Sequence, residues 1–178
     1  MKAKSLKIVM AFVAISVLLS SCDKLIKLAN IKLDLKKTVE IPIEIVNKKM
    51  DQGTFSFSLG DIDAADEYLE RLDDVIIKDI VLSIEDYKGD DITVQFDFQI
   101  GNGVVWAGNS IKPKEFSPLR LSKSPDFDKD VLKDAGKKLL DGSVVSGTFK
   151  TSSNTDIINT SFTVKCEFEI QVVANPLD

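Results

Sequence analysis

Histidine is absent from this 178-residue sequence, which also has only two cysteines, one tryptophan and two tyrosines. Without histidine the chain cannot form Ser-His or Cys-His nucleophile pairs, and it lacks the commonest general acid-base near neutral pH. The usual protein ligand of zinc and copper is missing too, and two cysteines alone do not make a zinc site. These absences favour a protein that is not an enzyme and that carries no cofactor.

A block of basic residues is also lacking. The chain has 23 Lys and Arg against 28 Asp and Glu, which gives a formal net charge of −5. Nucleic-acid binding needs clustered cations facing phosphates, so we expect no nucleic-acid partner. Hydrophobic residues make up 44% and charged residues 29% of the chain, as in a protein with a packed core. The length fits one domain.

The N-terminal apolar run is too short for an ordinary transmembrane helix. It covers residues 8–19, behind Lys2, Lys4 and Lys7, whereas crossing a bilayer takes about 20 residues. A cationic start and a run of this length are typical of a signal peptide. The run ends in Leu19-Ser20-Ser21-Cys22, an apolar residue, two small residues and a cysteine. This segment resembles the lipobox of bacterial lipoprotein signal peptides.

The resemblance implies cleavage before Cys22 and a diacylglycerol on its sulfur. Residues 1–21 would then be a signal peptide, 22–29 a lipidated tether and 30–178 a single domain. Two or more acyl chains hold a protein stably on a membrane, which would be the partner bound through Cys22. Cys166 would have no disulfide partner. The alternative is an ordinary secretory peptide followed by a chance cysteine.

The expected location is the bacterial cell envelope, on the outer membrane facing the periplasm. Asp23 directly after Cys22 resembles the inner-membrane retention signal of enterobacterial lipoproteins, so the inner membrane stays open as the alternative. One acidic residue followed by Lys24 is a poor match to the acidic surface-export signal of some Bacteroidota lipoproteins.

Alternation of apolar and polar residues dominates the rest of the chain and predicts seven or eight strands. Two helices are predicted, one from Asp61 to about Asp74 and one at 128–140 with Gly142 as a C-terminal cap. The segment around 116–121 is an edge strand at best. The remaining strands are predicted at 31–45, 55–59, 76–84, 92–100, 104–106, 144–150 and 158–172.

Hairpin-like spacings with one polar face per strand indicate antiparallel sheets packed face to face. We therefore predict a mainly β fold, an antiparallel β-sandwich of jelly-roll or immunoglobulin-like type with two short helices. A closed β-barrel with the helices as lids is the alternative. Pro42 predicts an edge strand, a bulge or a crossing between sheets. Residues 76–84 are apolar at odd and even positions, which suggests a strand buried on both faces or covered by a helix. The segment 158–172 should be a central strand with Cys166 in the core.

Three aspartates resemble the beginning of a calcium-binding loop. Asp126, Asp128 and Asp130 match positions 1, 3 and 5 of an EF-hand, but Val131 and Lys137 stand where glycine and glutamate are required. We therefore predict no metal site here and read the carboxylates as the start of a helix. The acidic residues 85–91 could serve a glycosidase, yet solvated turn residues explain them without catalysis.

Trp106 is the one aromatic candidate for ligand binding, and a core position is the alternative that two preceding valines favour. The expected function is a membrane-anchored envelope lipoprotein acting as a non-enzymatic binding or structural module. Two alternatives remain, a carrier of a lipid or other apolar ligand and a pilin- or adhesin-type assembly subunit. A filled core, a sizeable apolar cavity or a long unpaired hydrophobic edge would distinguish the three.

Overall fold

A computed structural model describes residues 30–153 and 159–175. These residues form eight strands in two four-stranded sheets, with orders β1-β8-β3-β6 and β2-β7-β4-β5. The strands are β1 (Ile31–Val46), β2 (Met50–Phe57), β3 (Leu72–Gly89), β4 (Val94–Ile100), β5 (Gly103–Ile111), β6 (Leu119–Arg120), β7 (Val145–Ser153) and β8 (Asn159–Ala174).

Every strand pairing within the two sheets is antiparallel. The chain alternates between the sheets in the order of a jelly roll, so the predicted β-sandwich is confirmed. The immunoglobulin-like alternative does not apply, because that fold divides its strands in a different order. The closed barrel is wrong as well, since the described strands form two separate sheets.

Aromatic side chains fill the space between the sheets. Phe57, Phe98, Phe149 and Phe168 are fully buried. The ring centroids of Phe57 and Phe168, which belong to opposite sheets, lie 4.8 Å apart. Those of Phe98 and Phe149 lie 6.0 Å apart. The alternation of the strands therefore creates one continuous core, in which large rings interdigitate across the sandwich.

The central position of β8 confirms the prediction made for the segment 158–172. β8 pairs along its whole length with β1 and on its other side with β3. Cys166 is fully buried, and its neighbours in register are Val39 and Leu82. Pro42 lies in β1, an edge strand, which is the first of the three positions predicted for it.

A bulge in β3 explains why residues 76–84 are apolar at both odd and even positions. Val75 and Ile77 face the core before a register shift at Asp79, and Ile80 and Leu82 face it afterwards. The inward positions change parity because the bulge inserts one extra residue. Ile76 is 43% exposed, so the expectation of a strand buried on both faces is wrong.

The helix predicted at 128–140 forms as α1 (Lys129–Leu140). The carboxylate of Asp128 accepts a hydrogen bond from the backbone N–H of Asp130, 2.9 Å away, as a helix N-cap does. Gly142 has a φ of +71°. Its N–H donates to the carbonyl of Leu139, and that of Ser143 donates to the carbonyl of Lys138. Gly142 is therefore the C-terminal cap that the sequence predicts.

The other predicted helix, from Asp61 to Asp74, is present in a different form. It consists of 3₁₀ turns at Leu59–Asp61 and Asp63–Arg71, and β3 already begins at Leu72. Asp61 does not cap a helix that follows it. Its carboxylate accepts hydrogen bonds from the backbone N–H and hydroxyl of Ser58, which closes a tight turn behind it. The chain therefore reaches β3 through short turns and not through an α-helix.

α1 lies directly on the backbone of β3, where Gly136 allows the close approach. A Cβ at Gly136 would lie 2.4 Å from the carbonyl oxygen of Val75. The pairing of β6 with β3 covers just Val81 and Leu82, so α1 shields the part of β3 that lacks a strand neighbour. Covering a sheet edge with a helix is one way in which proteins prevent edge-to-edge association.

We expect Gly136→Ala to lower the free energy of unfolding by about 2 kcal/mol, because the new methyl group forces α1 and β3 apart. Helix propensity alone predicts the opposite sign, a gain of about 1 kcal/mol. Urea denaturation of the protein measures the difference. Gly60→Ala is the control, because a Cβ there meets its nearest neighbour at an ordinary 3.7 Å. Unchanged or increased stability of Gly136→Ala would contradict the close packing.

Candidate functional site

A groove runs along the surface between α1 and the first half of β3, with a volume of about 490 Å³. We call it the α1–β3 groove. Its size lies within the range of roughly 300–1,000 Å³ that is usual for small-molecule sites. It is lined by residues of β3 (Asp74, Val75, Ile76, Ile77, Lys78) and by residues of α1 and the segment before it (Phe127, Lys129, Asp130, Leu132, Lys133, Lys137).

The floor of the groove is apolar. Val75, Ile77 and Leu132 are buried, Phe127 is half-buried and Ile76 exposes 43% of its surface. This floor forms where the apolar stripe of α1 packs on β3. The flat apolar surface of β3 ends at the bulge beside Asp79. The arrangement offers a shallow apolar surface that an alkyl or aromatic group could cover.

Lysines form one wall of the groove. Lys129, Lys133 and Lys137 follow each other at intervals of four residues and therefore share one face of α1. Lys78 of β3 lines the groove as well, and so do two carboxylates, Asp74 and Asp130. The lining carries four positive and two negative charges, although the whole chain is acidic.

Two of these four lysines have carboxylate partners that lie outside the groove lining. The Nζ of Lys78 is 2.7 Å from Asp34 and that of Lys137 is 3.1 Å from Asp134. Both pairs are exposed, and exposed pairs stabilise a fold by at most about 1 kcal/mol. In the part of the chain that the structure describes, Lys129 and Lys133 have no carboxylate within 4.0 Å. The lysines are therefore available for an external anion. The four-residue spacing of the lysines can be read from the sequence, but only the packing of α1 on β3 shows that these lysines line the groove.

The three aspartates of the calcium-like segment separate into different roles. Asp128 is the N-cap of α1, and its own N–H donates to the carbonyl of Val105 at 3.1 Å. Asp130 reaches the α1–β3 groove, whereas Asp126 does not line it. Within residues 30–153 and 159–175, no group of three or more acidic or cysteine side chains could hold a metal ion. Asp128 and Asp130 lie at the start of α1, where the macrodipole favours negative charge.

Trp106 lies in the core. It is 4% exposed, and its ring centroid is 6.5 Å from that of Phe96. Its ring also lies so close to Gly108 that a Cβ there would approach it to 2.5 Å. Neither face of the Trp106 ring is exposed, so the structure does not support its candidate role in ligand binding. Cys22, the predicted lipidation site, lies outside the described residues.

The acidic residues 85–91 hold the ends of neighbouring strands together. Glu85 pairs with Lys165 at 3.2 Å, and the carboxylate of Asp90 accepts the N–H of Asn159 at 3.1 Å. The hydroxyl of Tyr87 donates to the carbonyl of Asp90. The contacts of Glu85 and Asp90 join the end of β3 and the residue after it to β8.

A cluster that the sequence does not predict surrounds Asp79, which is 4% exposed. Its carboxylate accepts hydrogen bonds from the hydroxyl and the N–H of Ser122 at 2.6 and 3.0 Å. Arg120 donates to it at 2.9 Å and also binds Glu169 with two hydrogen bonds of 2.6 Å. The bulge in β3 turns Asp79 toward these partners, which lie more than 40 residues away in sequence. The cluster fastens the segment that follows β6 to the sheet.

The hydrogen bonds decide the protonation state of Asp79. Burial alone would raise its pKa, but the bonds from Ser122, the N–H of Ile80 and Arg120 outweigh burial and hold the pKa below its ordinary value. The same guanidinium lowers the pKa of Glu169. Because these carboxylates are ionised and already bonded, the cluster does not resemble a general acid poised near neutral pH.

No family model matches the chain, and no curated protein matches it. None of the helices in the described residues is long and apolar enough to cross a membrane. Several solved structures have a similar shape. The decameric BFDV capsid protein is 13% identical, with a TM-score of 0.41, over 80% of this chain and 98% of that one.

A chain from the structure of Cocksfoot mottle virus is 11% identical, with a TM-score of 0.38, over 80% of this chain and 94% of that one. Desmodium yellow mottle tymovirus is 7% identical, with a TM-score of 0.32, over 82% and 91%. The jelly-roll fold of this chain is established by its own strand order, and the likeness to these structures carries no functional argument.

Proposed function

We propose that this chain is a bacterial envelope lipoprotein, anchored by lipid on Cys22, whose jelly-roll domain is a non-enzymatic binding module. The observation that carries the proposal is the lipobox-like Leu19-Ser20-Ser21-Cys22, placed eight residues before the folded domain. The proposed location is the outer membrane, on its periplasmic face. The module would bind its ligand or partner at the α1–β3 groove.

Asn30, which the proposed tether would precede, lies near this groove. Asn30 precedes β1, and its side-chain amide donates to Asp73 at 3.2 Å. Asp73 is next to Asp74, the first residue of the groove lining. A tether of residues 22–29 spans at most about 28 Å when fully extended. The groove would therefore stay close to the membrane that holds the lipid.

The core and the strand edges favour a surface-binding module over the two alternatives. Large rings pack between the sheets, and the α1–β3 groove is open at the surface, so a ligand there would be held against the surface and not enclosed as a carrier encloses its cargo. An assembly subunit needs an exposed hydrophobic edge. β1 carries Lys36, Lys37 and Pro42, and α1 covers part of β3, which are features that discourage strand addition.

A non-enzymatic role is supported by the state of the most reactive groups. Cys166 is buried, and burial raises the pKa of its thiol, which keeps it protonated and unreactive. The buried carboxylate of Asp79 is already bonded to Ser122 and Arg120. Neither group lies in the α1–β3 groove.

We expect Cys22→Ala to abolish lipid modification and release the protein from the membrane. The wild-type protein should need detergent for extraction from total membranes and should incorporate a fatty-acid label. The variant should lose both properties because acyl chains on Cys22 would hold the protein on the membrane. Fractionation of cells and gel mobility after labelling measure the result.

The matched control is Cys166→Ala, which removes the other cysteine and should keep both the label and the membrane association. Membrane association and labelling that persist in Cys22→Ala would overturn the anchor. Loss of both properties in the two variants alike would point to misfolding and would also reject Cys22 as the specific lipid site.

A further inference from the structure

We propose that the α1–β3 groove binds a long-chain carboxylate, a molecule of the free fatty-acid class. The proposal deepens the proposed function by naming the ligand of the binding module. It does not depend on the lipid anchor, because the groove is formed entirely by residues of the domain.

The head of such a ligand would lie against Lys129 and Lys133. Both ammonium groups are exposed and have no carboxylate partner among the described residues. They lie one helical turn apart on the same face of α1, so one carboxylate can contact both. Charge-assisted hydrogen bonds from ammonium groups are among the stronger ones that a carboxylate accepts.

The other two lysines of the lining can strengthen this contact. Lys137 and Lys78 are held by Asp134 and Asp34, whose side chains are more than 70% exposed. Exchanging such solvent-screened partners for a ligand costs little. Besides Asp74 and Asp130 in the lining, Asp34 and Asp134 bind Lys78 and Lys137, so Lys129 and Lys133 are the two lysines of the lining without a carboxylate partner among the described residues.

The alkyl chain of the ligand would cover the apolar floor. Ile76 and Phe127 are the exposed and half-buried parts of this floor, and Leu132 continues it under α1. Covering apolar surface releases about 25 cal/mol per Å² removed from water. A neutral amphiphile would gain the same apolar contact without the ion pairs, and a cationic one would meet repulsion. The combination of lysine wall and apolar floor therefore favours an anionic amphiphile, of which a long-chain carboxylate is the simplest class.

The test uses the full-length protein in a nonionic maltoside detergent at neutral pH, with dodecanoate that carries a terminal photoreactive diazirine. After irradiation, the labelled peptides are identified by mass spectrometry. We expect the label on peptides containing Ile76, Phe127 or Leu132, and competition by unlabelled dodecanoate. The corresponding diazirine alcohol should label these peptides much less, because it lacks the charge.

The double variant Lys129→Glu/Lys133→Glu should reduce this labelling about tenfold, as the loss of two ion pairs requires. Ile76→Glu should also reduce it by placing a negative charge on the floor. Lys114→Glu, a reversal at an exposed lysine outside the groove, should leave it unchanged. Circular dichroism serves as the control for folding. We expect all variants to remain folded, because exposed substitutions of this kind change stability little.

Equal labelling by the acid and the alcohol would overturn the proposal, as would labelling that survives the double variant or that lies outside the groove. The outcome is separate from the anchor test. A failed Cys22→Ala experiment with groove labelling intact rejects the lipoprotein assignment alone. Intact anchoring without groove labelling rejects the ligand alone.

Discussion

Replacing Cys166 with aspartate is expected to lower the free energy of unfolding by about 4 kcal/mol or more, because it buries a carboxylate without a partner. Cys166 lies fully buried in the middle of β8, between β1 and β3. Its neighbours along the inward face are Val164 and Phe168, neither of which can accept or donate a hydrogen bond through its side chain. The substitution destabilises β8, the strand that pairs with both β1 and β3.

Urea denaturation of the mature protein at neutral pH measures this effect, and Cys166→Ala is the control that changes volume without adding charge. A second measurement needs no mutation. Because burial shields the thiol and raises its pKa, a water-soluble thiol reagent should modify Cys166 only after denaturant is added. Rapid labelling of the native protein together with a tolerated Cys166→Asp would require the opposite register for β8.

Asp79→Ala is expected to lower the free energy of unfolding by about 3 kcal/mol, because it leaves the donors of Arg120 and Ser122 without their acceptor. The matched control is Asp34→Ala, on the outer face of the same sheet. Asp34 also pairs with a cation, Lys78, but its side chain is 74% exposed. This variant should lose much less stability than Asp79→Ala, because solvent screens an exposed pair. Equal losses in the two variants would contradict the role of the buried cluster.

The Asp79 cluster also predicts how stability depends on pH. The pKa of Asp79 is lower in the folded protein than its ordinary value, so its contribution is complete above the unfolded pKa of about 3.9. The contribution is lost as the pH falls through the lower pKa of the folded state. Stability of the wild type should therefore decline below about pH 4 more steeply than that of Asp79→Ala. Parallel acid limbs in the two proteins would show that Asp79 is not ionised in the native state.

The strands that alternate strictly were predictable because alternation directly reports a half-buried sheet. β8 shows this best, since its inward positions are apolar over nearly its whole length. Its central position was also predictable, because such a strand at the edge of a sheet would promote aggregation. β3 shows the limit. Its bulge at Asp79 moves the inward positions from odd to even, and periodicity alone reads this as burial on both faces.

Apolar spacing predicts a helix in the segment before β3, and the structure has 3₁₀ turns there. Asp61 bonds back to Ser58 in a capping box at the start of the first turn, a local arrangement that apolar spacing does not report. α1 was predictable because its signals agree with one another, with Asp128 as N-cap and Gly142 as C-terminal cap.

The candidate site was less predictable than the fold. Lys129, Lys133 and Lys137 are visible in sequence as a charged face, but a charged face is the usual solvent side of a helix. Only the approach of Gly136 to Val75 turns this face toward an apolar strand. The partnership of Asp79 with Arg120 likewise depends on pairing between residues far apart in the chain, which local patterns do not encode.

The central position of β8 sets the order in which the protein can fold. β1 and β3 are each bonded to β8, the last of the eight strands to be synthesised, and neither is bonded to the other. Their sheet therefore cannot form on the ribosome before nearly the whole domain has emerged, and its contacts join the two ends of the chain. Folds dominated by such distant pairings form slowly, on a scale of milliseconds to seconds. A nascent chain with this topology therefore lacks its β1-β8-β3 sheet until synthesis of the domain is nearly complete.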